Sequence, residues 1–176
     1  LRRDDDLCAW WLDAAGRPRL IRVDDPAFGR QGPYYGPFRS EREATTVLHE
    51  IAAGHGLCHA LLGLEPVAAG RPCCARQLGK CRGACIGLEA AATHHARLLL
   101  ALAGLRMTDW PCAGPALLRE GSEGGEAHVI DRWCYLGTAK TENEVWAIIE
   151  TAQPRFDRDT YRLLRKAVDR LRPLAA

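Results

Sequence analysis

The chain has 176 residues, 47% hydrophobic and 26% charged, with a formal net charge of +2. That is enough for one medium domain or two small ones around an ordinary core, and it excludes an overall polycation. Eight cysteines in this length fall below the density of a small disulfide scaffold, and no stretch approaches the roughly 18–20 apolar residues that span a bilayer.

The chain opens LRRDDDLCAWW, without Met and without an apolar run of signal-peptide length. A soluble, cytoplasmic protein with no membrane partner is therefore expected, and the start in mid-pattern suggests a piece of a longer chain. Without a secretion signal, disulfides are the weaker use for the cysteines. Cys8, Cys112 and Cys134 each sit alone in an apolar or strand-like segment and are expected in the core.

LCAWWLD (Leu7 to Asp13) and PRLIRVD (Pro18 to Asp24), separated by AAGR, read as a β-hairpin. A Gly- and Pro-rich loop ending in YYGPF follows. Ser40 with Glu43 forms a capping box for a helix with Val47, Leu48 and Ile51 on one stripe, ending at Gly54 or Gly56. From Leu57 to Gly87 the pattern is irregular, with one helical turn near Ala75 to Gly79. LEAAATHHARLLLALAGL is a helix that stops near Gly104. LRMTDWP, PALLRE, AHVIDRW and CYLGTAK read as short strands, with a GSEGGE turn between the second and third. Thr141 and Glu144 cap another helix, and FDRDTYRLLRKAVDRLR is a final amphipathic one, its mixed charges a solvated face. Helices and strands are segregated, so the fold class is α+β. The boundaries expected are 1–39 for the hairpin and YYGPF loop, 40–104 for helix, cysteine loop and helix, and 105–176 for the short strands and C-terminal helices.

Half of the cysteines lie in one stretch, RPCCARQLGKCRGAC, from Arg71 to Cys85. Between Pro66 and Leu88 stand Arg71, Arg76, Lys80 and Arg82 and no acid, a local +4 that leaves the rest of the chain at −2. The thiols Cys58, Cys73, Cys81 and Cys85 are spaced x14, x7 and x3. Four thiolates close a tetrahedral zinc site or hold an iron–sulfur cluster. Tight knuckles favour zinc, and only Cys81 and Cys85 approach one, whereas wide spacing on a glycine-punctuated loop suits a cluster. Spacing alone leaves both open, beside the plain reading of four loop cysteines without metal. Either Cys73 or its neighbour Cys74 can serve as the second ligand. Of His55, His59, His94 and His95, His59 is the one placed to substitute in a zinc site. The four cations are candidate phosphate contacts, whose affinity would fall steeply with salt, or counter-charges to an anionic thiolate site. Trp10, Trp11, Tyr34 and Tyr35 are candidates for stacking on bases, although hairpin aromatics are more often core.

RPCCARQLGKCRGAC resembles the Arg-Pro-Cys … Cys-x-Gly-Pro-Cys segment that follows the GIY-YIG domain in UvrC-type excision nucleases and their shorter homologue Cho. LRRDDDLCAWW, PRLIRVD, YYGPF, the helix from Ser40 and Leu57–Cys58 follow in that family's order, so the resemblance runs over about Leu1 to Gly87. HVIDRWCYLGTAKTENEV and FDRDTYRLLRKA look like the end of the variant preceded by an epsilon-type proofreading exonuclease. The resemblance implies nucleotide excision repair, DNA as partner and a [4Fe–4S] cluster on Cys58, Cys73, Cys81 and Cys85, with zinc as the alternative. Ala84 replaces the family's proline, and the x14 gap is longer than usual. It also implies that the GIY-YIG catalytic residues belong to an upstream nuclease domain. No catalytic residue is assigned here, and this chain alone is expected not to cut DNA. The rival function is a zinc-stabilised protein- or nucleic-acid-interaction module.

Overall fold

The computed structural model describes residues 7–25, 28, 32–119 and 125–174 and divides the chain into two compact units, Leu1–Met107 and Thr108–Ala176. LRRDDD and most of the GSEGGE turn lie outside the described residues. Antiparallel sheets and separate helices give the expected α+β class. Among the described residues, no helix is long and apolar enough to cross a membrane.

In the first unit, β1 (Cys8–Leu12) and β2 (Pro18–Arg22) form the hairpin, with Cys8 opposite Arg22 and Leu12 opposite Pro18. Its turn closes because the Asp13 carboxylate accepts the Ala15 and Arg17 N–H groups, at 2.9 and 3.0 Å. YYGPF is not the end of a loop. It is β3 (Tyr34–Phe38), an antiparallel neighbour of β1 that completes the sheet β2-β1-β3. Its Gly and Pro hid it, since both are poor strand formers in a sequence reading.

Helix α1 (Glu41–His55) starts as expected: Ser40 Oγ accepts the Glu43 N–H at 3.2 Å, and the Glu43 carboxylate takes the Arg39 N–H at 2.6 Å. It ends at Gly56, whose φ of 61° is left-handed. Ala44, Leu48 and Ala52 face inward, and α4 (Ala91–Leu102) meets them with Leu98 and Leu102. Trp10, Tyr34 and Tyr35 are buried, and Trp10 Nε1 donates to the Ala44 carbonyl at 3.2 Å. These three belong to the core and are not available for stacking on bases; Trp11 is half-buried. Between α1 and α4 run two single helical turns, α2 (His59–Leu62) and α3 (Cys74–Gln77), and a 3-10 turn at Ala84–Ile86.

The second unit is a four-stranded sheet, order β6-β5-β4-β7, from β4 (Ala116–Arg119), β5 (Ala127–Asp131), β6 (Cys134–Ala139) and β7 (Arg172–Pro173). Every pairing is antiparallel. Helix α5 (Glu142–Thr151), capped by Thr141, lays Val145 and Ile148 against Val129 and Ala139. Arg132 and Trp133 both take positive φ, 46° and 67°, in the β5–β6 turn. Trp133 is held there between Trp110 and Tyr161, edge-on at 5.2 and 5.3 Å.

Three further expectations need correction. LRMTDWP is not a strand: a 3-10 turn occupies Ala103–Leu105, Arg106 makes one isolated bridge to Tyr35, and the rest is irregular. The final helix, α6 (Arg158–Lys166), is shorter than its periodicity; the chain turns 3-10 at Val168–Arg170 and ends in β7, where sheet pairing overrides the helical pattern. Cys8 and Cys134 are buried, but Cys112 lies half-exposed in a bend next to Pro111.

Candidate metal centre

Four segments converge on one sulfur-lined point. Cys58 precedes α2, Cys73 caps α3, Cys81 follows it and Cys85 sits on the 3-10 turn. Their four Sγ atoms lie within 4.8 Å of one another, and Cys58 Sγ is 3.9 Å from Cys73 Sγ. Cys58, Cys73 and Cys81 are buried and Cys85 is half-buried. Cys74 points out to solvent, its N–H donating to Glu65 Oε1 at 2.7 Å, so Cys73 supplies the second thiol. His59 stands edge-on to His49 and is not among the grouped ligand atoms.

Backbone N–H groups are aimed at the sulfurs. Arg76 N–H donates to Cys73 Sγ at 3.3 Å, Cys73 N–H to Cys85 Sγ at 3.4 Å and Gly83 N–H to Cys81 Sγ at 3.3 Å. Such donors favour the thiolate over the thiol. Gly83 is required where it stands: its φ is 91°, and a Cβ there would come 2.8 Å from Leu88 Cβ.

The three buried thiols divide. Burial pushes Cys58 up to about 12 and raises Cys81 despite the Gly83 N–H. Burial also acts on Cys73, but the Arg76 N–H and the neighbouring thiols outweigh it and hold that group below its ordinary value. Cys73 thus ionises before Cys58 and Cys81, and a metal must displace protons from those two.

The donor set fits a soft metal, since all-thiolate sites select zinc or iron–sulfur clusters. Bonds of about 2.3 Å to a tetrahedral zinc put its sulfurs about 3.8 Å apart. The four Sγ atoms stand close enough for one bound group to engage all of them, and the donor set suits either group.

Helix α4 supplies a support that the spacing of the cysteines does not announce. His94 is 3% exposed and its Nε2 accepts the Cys58 N–H at 2.9 Å. Burial holds the imidazole below its usual range, which keeps that lone pair available. Arg97, one turn on, bonds both Glu89 oxygens, at 2.9 and 2.5 Å, and donates to the His55 and Gly56 carbonyls at the end of α1. The only sequence signal was His94 sharing the stripe of Leu98 and Leu102, at intervals of four.

Of the four cations in the loop, Arg71, Lys80 and Arg82 are exposed. Arg76 is half-buried and its guanidinium donates to the Cys81 carbonyl at 3.2 Å, which ties it into the loop.

Residues 7–104 match the model of the UvrC/Cho excinuclease middle domain, and residues 115–176 that of the Excinuclease Cho C-terminal domain. The chain belongs to the UvrC/Cho excinuclease family. It is 36% identical to "Excinuclease cho" of Shigella flexneri and 34% identical to that of Salmonella typhi, each over 167 residues and 94% of this chain. The match covers 56% of each relative, so the chain spans about half their length. No solved structure matches. The middle-domain match takes in the four thiols together with α4 and its clamp, while the C-terminal match takes in the sheet of the second unit and α6.

Proposed function

We propose that this chain is the metal-bearing, DNA-contacting region of a UvrC/Cho-like DNA repair endonuclease. In this reading it orients duplex DNA for a GIY-YIG nuclease centre elsewhere in the protein. The observation that carries it is the fixed group of four thiols with Arg71, Lys80 and Arg82 exposed around it. Cations spaced along a braced loop meet phosphates without reading bases, as a nuclease tolerant of many lesions requires. The family resemblance supports a [4Fe–4S] cluster on Cys58, Cys73, Cys81 and Cys85. Bound there, such a group would supply rigidity to a segment with few apolar contacts of its own.

A second reading rests on the sulfur spacing of 3.9 Å. It places a single zinc ion on the same four residues and makes the unit a structural interaction module. Metal and acid-labile sulfide analysis on protein purified without oxygen separates the two: iron with sulfide supports the first, zinc without sulfide the second. DNA contact is tested on the full chain by replacing Arg71, Lys80 and Arg82 with Ala and measuring duplex affinity against salt. Each lost phosphate contact should lower the slope by about 0.9, and a parental slope would remove the loop from the DNA surface.

A further inference from the structure

The second unit carries its positive charge in one place. Residues 108–154 hold three cations against eight acids, whereas residues 155–172 hold seven cations against three acids. Within that segment, Arg158, Arg162, Arg165 and Lys166 fall at i, i+4, i+7 and i+8 of α6. That spacing places all four on one flank of the helix, beside the buried stripe of Tyr161 and Leu164.

The neighbouring acids do little to cancel this flank. Asp157 is the N-cap, its carboxylate accepting the Thr160 N–H at 2.6 Å. Asp159 meets Arg162 only at 3.4 Å, with both side chains exposed, an arrangement that water screens. Arg165 and Lys166 are exposed and have no acidic partner among the described residues. The Nε of Arg158 is buried without a hydrogen-bond acceptor among the described residues.

We infer that this flank of α6 is a second nucleic-acid contact, taking the phosphate backbone of duplex DNA. The four cations fall within nine residues, about 12 Å along the axis, which is the reach of two or three phosphates of one strand. Cations spaced along a helix flank meet phosphates first, a contact that positions the duplex. The inference extends the DNA reading above to the second unit and rests on it for the identity of the polyanion. A purely structural account also exists: Arg165 and Lys166 lie in the last turn, where cations offset the helix dipole. The two accounts differ in what they predict for salt.

The test uses the full chain and a labelled duplex of about 20 base pairs, titrated between about 50 and 200 mM salt. Three proteins are compared with the parent: Arg165→Gln with Lys166→Gln, the charge-keeping swap Arg165→Lys with Lys166→Arg, and the loop variant with Arg71, Lys80 and Arg82 replaced by Ala. The inference expects the Gln pair to lower the salt slope by about two units, and the charge-keeping swap to restore it. A parental slope for the Gln pair, with or without a lower melting temperature, overturns the inference and leaves only the helix-dipole role. If the loop variant then still loses slope, the earlier reading survives alone. If only the Gln pair loses slope, the contact belongs to α6 and the loop reading fails. A parent that does not bind duplex at low salt overturns both.

Discussion

His94 reaches 36 residues back along the chain to accept the Cys58 N–H on its Nε2, at 2.9 Å and out of contact with water. The ring makes the first thiol's backbone part of α4, so the helix and the sulfur site form one mechanical piece. Replacing His94 with Leu leaves that N–H buried and unpaired, at a cost of about 1–3 kcal/mol. Lower thermal stability and faster loss of metal to a chelator are expected; unchanged values for both would mean that the bond holds nothing in place.

The Glu89–Arg97 pair should be more costly to break. Its side chains are 8% and 15% exposed, and the guanidinium also braces the end of α1. Glu89→Gln removes one partner of a largely buried pair, for which a loss of about 3 kcal/mol is expected. Denaturant unfolding of the two proteins measures it, and a difference near zero would show that the carboxylate is not what keeps Arg97 in place.

Cys81→Ser replaces a buried thiol that takes the Gly83 N–H. The metal-loaded protein should lose its metal and much of the stability of residues 57–87, because binding energy is folding energy in a loop of this kind. Metal content and hydrogen exchange over that segment are the readouts. Parental values in both would remove Cys81 from the ligand set.

Arg76 and Lys80 should separate. Arg76→Ala deletes a donor to the Cys81 carbonyl and is expected to lower stability by about 1 kcal/mol. Lys80→Ala, at an exposed position, should leave stability alone and reduce the salt slope of DNA binding by about 0.9. Identical effects from the two would contradict the division between bracing and contact.

Cys134 gives the second unit an alkaline limit. Burial raises its thiol from 9.0 to about 11. The folded state therefore keeps the neutral thiol where the unfolded chain has already ionised. Its contribution is whole below about pH 9 and disappears as the pH rises to about 11, a loss on the order of 2 kcal/mol. Stability measured against pH should fall more steeply for the parent than for Cys134→Ala, and parallel curves would exclude the thiol as the cause.

How much of this was legible depends on the scale at which each feature is encoded. The caps at Ser40 and Thr141 were readable because a capping box is a four-residue signal. The four thiols were readable as a group because cysteines are scarce, but the contrast of Cys73 with Cys58 and Cys81 was not, since it depends on which N–H groups the loop turns toward which sulfur. YYGPF was misread because its partner, β1, lies more than twenty residues away, and strand identity is settled by pairing. His94 and Arg97 escaped for the same reason, being defined by what they touch across the fold. The cationic flank of α6 was visible as composition, and only the short length of the helix set its limits.

The last strand of the second sheet consists of two residues, Arg172 and Pro173, laid along β4. Among the described residues the sheet ends there, and a proline without an N–H and an arginine charge at the rim both disfavour further pairing. A version of the chain cut after Leu171 would uncover the hydrogen-bonding edge of β4, with Leu117 and Leu118 along it. Covering that edge is thus the work of the two-residue strand, and removing it should show first as loss of monodispersity in solution.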